Sequence, residues 1–174
     1  SIIGAKSGQI SFTNNDSDES PFNFNVNGTV LGPSPVIQIV DNGDAGFATV
    51  GSWLYANNQG YATDVHYAPR GNGSAQSTWT FPGLTPGLYR VAATWSPYYN
   101  RATNAPFTVK DGTTVLNTVN INQEPAPNDF TESGTSWEHL GGPYAITGSS
   151  LVVELTNAAN EWVIADAIRI ERVS

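Results

Sequence analysis

The chain has 174 residues, 39% of them hydrophobic and 11% aromatic, enough for one packed core and too apolar for a disordered chain. Seven Lys plus Arg against fifteen Asp plus Glu give a formal net charge of −8, which repels phosphate backbones and argues against nucleic acid as a partner. Cysteine and methionine are absent, so disulfides, thiolate catalysis and Cys-ligated zinc are excluded. No run approaches the roughly 18 apolar residues of a membrane span. Seventeen Gly and eleven Pro, with abundant Asn, Ser and Thr, imply frequent chain reversals and a β-protein. Low charge and the lack of cysteine fit a secreted bacterial module. Residue 1 falls inside a strand-like region, so the chain reads as a piece of a longer precursor.

Residues 10–30 read as strand, acidic turn, strand. In PFNFNVNGTV, Phe22, Phe24 and Val26 alternate with Asn23, Asn25 and Asn27, a period of two. A lone hairpin is marginal in water, so this one needs a partner surface. The stretch SFTNNDSDESPFNFNVNGTV resembles the C-terminal hairpin of immunoglobulin-like domains of the ASPM/SPD-2/Hydin and choice-of-anchor D type. That resemblance implies that residues 1–31 are the remnant of a preceding domain, docked on the main body or on a second copy. LGPSP, residues 31–35, then provides a stiff connection, with the linker set at residues 32–36 and the main domain running from 37 to 174.

Several later runs alternate. Trp79 and Phe81 face one way in AQSTWTF; Tyr89, Val91, Ala93 and Trp95 form one row in GLYRVAATW; Leu151, Val153 and Leu155 point together in SLVVELT. Each row is the inner face of a half-buried antiparallel strand. PGLTPGL connects two of these strands, and KDGTT carries an Asp-Gly hairpin signal. No segment sustains a 3.6-residue period. The expected fold is an all-β antiparallel sandwich of the jelly-roll, galactose-binding-like kind with an N-terminal hairpin appendage.

Taken in order, VDNGDAGFATVGSW, GYATDVHYAP, GSAQSTWTFPGLTPGLYRVAATWSPYYNRATNAPFTV, DFTESGTSWEHLG and NEWVIADAIRIER resemble the golvesin C-terminal-like domain, which is also found appended to xanthan lyases. The resemblance covers residues 37–172 and implies a non-catalytic carbohydrate-binding accessory role on a secreted multidomain protein. The alternative is a structural or adhesive module that docks other proteins. Looser similarity to galactose-binding jelly rolls implies a structural calcium between the first and last strands.

TWSPYYNRATNAPFTV sets Tyr98, Tyr99, Asn100 and Arg101 just beyond a strand. Aromatic faces stack on the C–H faces of sugar rings while amide and guanidinium groups bond the hydroxyls, so these four are carbohydrate-binding candidates. The competing reading makes the tyrosines a cap on the sandwich end and ties Arg101 to a buried carboxylate. GSWLYANNQGYATDVHYAP adds Trp53, Tyr55, Tyr61, His66 and Tyr67 on two strands joined by NNQG, with Tyr55 or Tyr61 near the turn. Trp137, in the glycine-rich SGTSWEHLGG, is either a loop platform or a plug for the open end of the sandwich.

DNGDAG fails the EF-hand pattern, with Gly43 at position three and Ser52 at position twelve. Asp166 nevertheless has the parity of Ile164, Ile168 and Ile170, so a regular strand aims it inward. A buried carboxylate must be paired, hydrogen-bonded or metal-bound, and Asp41, Asp44 and Asp166 are the candidate ligands of a Ca²⁺ ion. GxSxG, Walker and HExxH patterns are all missing, and His66 and His139 lie far apart in sequence, so a non-catalytic module is expected. Expected partners are polysaccharide, neighbouring domains of the parent protein and, through the hairpin, a second copy.

Overall fold

The computed structural model describes residues 4–16, 18, 20–30 and 36–173. The chain divides into two units, residues 1–34 and 35–174. In the first, β1 (Gly4–Phe12) and β2 (Phe22–Val30) pair antiparallel in unbroken register, from Gly4 opposite Val30 to Phe12 opposite Phe22. Strand alternation collects Ile10, Phe12, Phe22, Phe24 and Val26 on one face, and all five are exposed. Phe22 stands 5.3 Å from Phe12 and 6.1 Å from Phe24, centroid to centroid. Apart from Val36, the expected linker lies outside the described residues.

The second unit contains β3 (Ile37–Val40), β4 (Phe47–Val50), β5 (Leu54–Asn57), β6 (Asp64–Ala68), β7 (Gln76–Pro82), β8 (Gly87–Ala93) and β9 (Ala105–Asp111). It continues with β10 (Thr114–Ile121), β11 (Phe130–Glu132), β12 (Thr135–His139), β13 (Tyr144–Ile146), β14 (Ser150–Thr156), β15 (Val163–Ala165) and β16 (Ile168–Arg172). One sheet runs β10-β9-β14-β7-β4 and the other β11-β12-β8-β16-β3, with β13 also paired to β8. A small third sheet, β15-β6-β5, completes the unit. The only helical piece among the described residues is a 3-10 turn at Tyr61–Thr63. The fold is the all-β antiparallel sandwich that the alternation predicts.

The core follows the period-two rows. Trp79 and Phe81 from β7, Phe107 and Val109 from β9, and Leu151, Val153 and Leu155 from β14 meet Tyr89, Val91 and Ala93 of β8 and Ile168 and Ile170 of β16, all buried. Each large side chain so buried contributes roughly 1.5–3 kcal/mol. Trp79 stacks on Phe107 at 6.4 Å, and its indole N–H donates to the Asp166 carbonyl (2.9 Å), so its one polar atom is satisfied. Gln123, fully buried, acts like a strand partner. Its side-chain N–H donates to the Ile164 carbonyl and its Oε1 accepts from the Ile164 amide, both at 2.9 Å.

The stretch around Trp137 departs from the loop-platform expectation. Ser133 and Gly134, both at positive φ (50° and 84°), make a tight turn between β11 and β12, and β12 goes on to pair with β8. Trp137 is therefore a strand residue. It packs with Ala92 and Ala167 in a second small cluster, against Ile39, Tyr61 and Phe130, and is 1% exposed.

Candidate functional site

β8 ends at Ala93, and the chain crosses to β9 through residues 94–104. Trp95 turns inward at the start of this crossing, donating its indole N–H to the Pro125 carbonyl (2.9 Å). A turn then closes when the Arg101 amide donates to the Tyr98 carbonyl (3.1 Å), leaving Tyr98 and Tyr99 at its crest, 54% and 76% exposed. Their rings stand 4.6 Å apart, tilted by 41°. Arg101 underpins them. Its guanidinium lies 5.7 Å from the Tyr98 ring centre and donates to Asn100 Oδ1 (3.0 Å) and the Ser96 carbonyl (3.4 Å). Among the described residues Arg101 has no carboxylate partner. The tyrosines thus stand in water rather than capping the sandwich.

Behind the crest the loop is fastened to the approach to β15. Arg101 forms an isolated parallel bridge with Trp162, and the Ala102 amide donates to the Trp162 carbonyl (2.7 Å). Asn160 Oδ1 accepts from the Thr103 amide (3.0 Å), and the Asn160 amide donates to Asn104 Oδ1 (2.8 Å). On the other side, buried Asn157 accepts from the Gly73 amide and donates to the Pro69 carbonyl, both at 3.0 Å. Gly71 allows that approach, because a Cβ there would lie 2.3 Å from Asn157 Nδ2. These anchors frame a cleft of about 330 Å³ lined by Pro69, Arg70, Asn100, Asn160, Glu161 and Trp162. Trp162 is half-buried and rests on Tyr67 at 5.5 Å. An aromatic ring, two amides and two unpaired charged groups around a small open cavity suit a hydroxyl-rich ligand.

A second cleft, about 410 Å³, opens at Pro97 and includes Gln59, Tyr61, Ser96, Ala126 and Ser136. Ser96 Oγ donates to Gln59 Oε1 (2.6 Å), which joins the crossing loop to the turn before Tyr61. Tyr61 leans on Trp137 at 5.8 Å. The structure therefore brings Tyr98, Tyr99, Asn100, Arg101 and Tyr61 to one neighbourhood. Tyr55 lines neither cleft; it is exposed on β5, and its hydroxyl donates to Asp64 Oδ2 (2.6 Å). That hydrogen bond holds the phenol above its ordinary pKa. Trp137 drops out of the candidate set, since no ligand reaches a ring sealed between β12 and its neighbours. Trp162, Arg70, Asn160 and Glu161 were missed. The signal for Trp162 was present: it is an aromatic that follows Asn160 and Glu161 just before a strand.

The carboxylates form a separate cluster. β3 and β16 are neighbours, and Asp166 sits between β15 and β16, 1% exposed, where the chain leaves one sheet for another. Both of its oxygens accept from the Tyr61 amide (2.9 and 3.1 Å), so a backbone N–H rather than Arg101 is its partner. Gly60 allows the contact, because a Cβ there would lie 2.7 Å from Asp166 Oδ2. Asn42 Nδ2 donates to Asp64 Oδ1 (2.7 Å) and to His66 Nδ1 (3.1 Å), and burial lowers the His66 pKa. Burial first, then the nearby Asp64 and Asp44 charges, pushes Asp41 up to about 6; burial also raises Asp166 well above the usual carboxylate range. Asp41 Oδ1 and Asn42 Oδ1 are buried without a hydrogen-bond partner among the described residues.

Of the three candidate calcium ligands, Asp41 and Asp44 share one turn after β3 and Asp166 lies in the break between β15 and β16. Asp44 closes its own turn, its Oδ2 accepting from the Asp41 amide (3.0 Å). Among the described residues no three His, Cys, Asp or Glu side chains are placed to hold a metal ion.

Comparison with known proteins places this geometry. Residues 38–172 match the Golvesin C-terminal domain. The chain belongs to that family. Golvesin C-terminal domains are non-catalytic modules. A xanthan lyase from Paenibacillus contains a region similar to this chain at 32% identity and a TM-score of 0.68, covering 85% of this chain and 14% of that one. This chain thus spans only a small part of the lyase. A CBM35 from Cellvibrio japonicus Abf62 shares the fold at 14% identity and a TM-score of 0.52, covering 76% of this chain and 92% of that module. An exo-β-1,3-galactanase from Phanerochaete chrysosporium shares it at 9% identity and a TM-score of 0.50, over 83% of this chain and 30% of that chain. No curated protein matches the sequence. The match starts at residue 38, so the N-terminal hairpin lies outside it. Among the described residues no helix is long and apolar enough to cross a membrane.

Proposed function

We propose that this golvesin C-terminal domain is a non-catalytic carbohydrate-binding accessory module of a secreted bacterial multidomain protein, holding an attached enzyme or surface protein on polysaccharide. The observation that carries the reading is the exposed Tyr98–Tyr99 pair, braced by Arg101 and adjoining the Trp162 cleft. Two fixed aromatic faces beside amide and charged groups are what a sugar ring requires of a protein surface. The similarity to part of a xanthan lyase supports the accessory context and makes xanthan the first polysaccharide to test. Tethering would keep a partner domain at high effective concentration on its polymer without new catalytic chemistry. The test is co-sedimentation with insoluble xylan and cellulose and gel retardation in soluble xanthan, xylan and laminarin. Retention on at least one polymer is expected, and no retention on any contradicts the reading.

A second reading, a structural or adhesive module, is favoured by the apolar hairpin face of Ile10, Phe12, Phe22, Phe24 and Val26. Open strand edges and exposed aromatics invite pairing with a second copy or a neighbouring domain. Light scattering of the chain with and without residues 1–32 tests it. A mass that rises with concentration only in the longer form supports the hairpin as a contact, and equal monomer masses contradict it.

For the acidic cluster we propose that Asp41, its pKa raised by burial to about 6, takes up a proton below that pH. A structural calcium is the competing account, favoured by the unpartnered Asp41 and Asn42 oxygens. A melting temperature raised by calcium and lowered by EGTA selects the metal.

A further inference from the structure

The tyrosine crest separates two clefts. Pro97, directly before Tyr98, lines one, and Asn100, directly after Tyr99, lines the other. Pro97 and Asn100 are three Cα–Cα steps apart, at most about 11 Å along the chain, and the Tyr98–Arg101 turn shortens that span. The clefts also differ in chemistry. The Pro97 side offers Gln59, Ser96 and Ser136 and no charged side chain, whereas the Asn100 side offers Arg70 and Glu161 beside Trp162. Neither Arg70 nor Glu161 is ion-paired among the described residues, so both are available to a ligand.

We infer that the two clefts and the crest form one elongated site for an internal stretch of polysaccharide, at least three sugar rings long, with one ring seated on the tyrosines and one in each cleft. This rests on the carbohydrate reading above. A single ring fills one cleft and leaves the rest of the surface in water; a chain crossing the crest uses both clefts at once. Because one cleft is uncharged and the other carries Arg70 and Glu161, the two ends of the site are not equivalent, so the bound chain runs in one direction.

The test is retardation of the whole protein in gels containing xanthan, xylan or laminarin, comparing wild type with Ala126→Arg, which obstructs the Pro97 cleft from an exposed loop position. Arg70→Ala combined with Glu161→Ala strips the other cleft at two exposed positions. Melting temperatures within a degree or so of wild type are the control that each variant folds. In whichever gel retards the wild type, each change is expected to weaken binding by roughly two- to tenfold, the loss of one or two hydrogen bonds. Free xylohexaose or laminarihexaose, matched to that polymer, or for xanthan an oligosaccharide digest of it, is expected to compete, while xylose and glucose at equal molarity do not. Retardation that survives both cleft variants, or that a monosaccharide abolishes, overturns the elongated site while leaving the carbohydrate reading intact. A wild type unretarded in every gel overturns both.

Discussion

Tyr98–Tyr99 and Trp137 look alike in the sequence: aromatic residues among polar and turn-forming neighbours, away from the clean alternating rows. The structure gives them opposite fates. The tyrosine pair stands at the crest of a loop, 54% and 76% exposed, while Trp137 is sealed at 1%. The difference is backbone pairing. Ser133–Gly134 is a hairpin turn, so the residues after it form β12 and pair with β8, carrying Trp137 into a wall of the domain. Between Ala93 and Ala105 only the lone Arg101–Trp162 bridge forms, and the chain lifts its tyrosines clear. Aromatic character does not settle exposure by itself; backbone pairing does.

That contrast can be broken hardest at Trp137. Replacing it with alanine empties a packed site and is expected to lower stability by about 3–5 kcal/mol, seen as a large drop in melting temperature. A loss within a few tenths would mean that the ring was never sealed. Next is Gln123. Gln123→Ala leaves the Ile164 amide and carbonyl without their partners and is expected to cost about 2–4 kcal/mol in chemical denaturation. Gln123→Glu should recover part of that loss only at acid pH, where the protonated carboxyl can both accept from the Ile164 amide and donate to the Ile164 carbonyl; ionised, it is an unpaired buried charge.

A smaller effect sharpens the acidic cluster. Asp41 has a folded-state pKa of about 6 against an ordinary 3.8, so the folded protein holds a proton that the unfolded chain has released. Stability from this group is therefore greatest at the acid end and falls as pH rises from 3.8 to about 6. Asp166, raised by its burial, extends the fall in the same direction. Asp41→Asn should flatten the curve across that window in a pH series of denaturation midpoints. An unchanged slope would assign the effect elsewhere.

Much of the sandwich was legible because its strands are half-buried and antiparallel. Trp79, Phe81, Tyr89, Val91, Leu151, Val153 and Leu155 all lie inside as their parity requires. Asp166 is buried too, but in the break between β15 and β16, where residues of both parities are buried. What parity cannot supply is contact between segments distant in sequence. Arg70 and Trp162 line one cleft because β15 pairs with β6, Val163 opposite Ala68, while Asn157 ties down the turn after β6 and Asn160 the crossing loop, and no local pattern encodes that. Asp44 shows a related limit: a carboxylate three residues after another can accept from its own turn's backbone, as Asp44 does from the Asp41 amide, and spacing alone does not reveal this. Trp137 was misassigned because glycine beside serine signals a tight hairpin turn as readily as an open loop.

The most direct measurement of the wet-ring claim is the binding and melting of Tyr98→Ala combined with Tyr99→Ala. Because both rings stand in solvent, stability should change by less than about 0.5 kcal/mol. Loss of two stacking faces should weaken retardation by the retaining polysaccharide roughly five- to a hundredfold. A variant that melts many degrees lower, or that binds the polymer as tightly as wild type, would contradict the account.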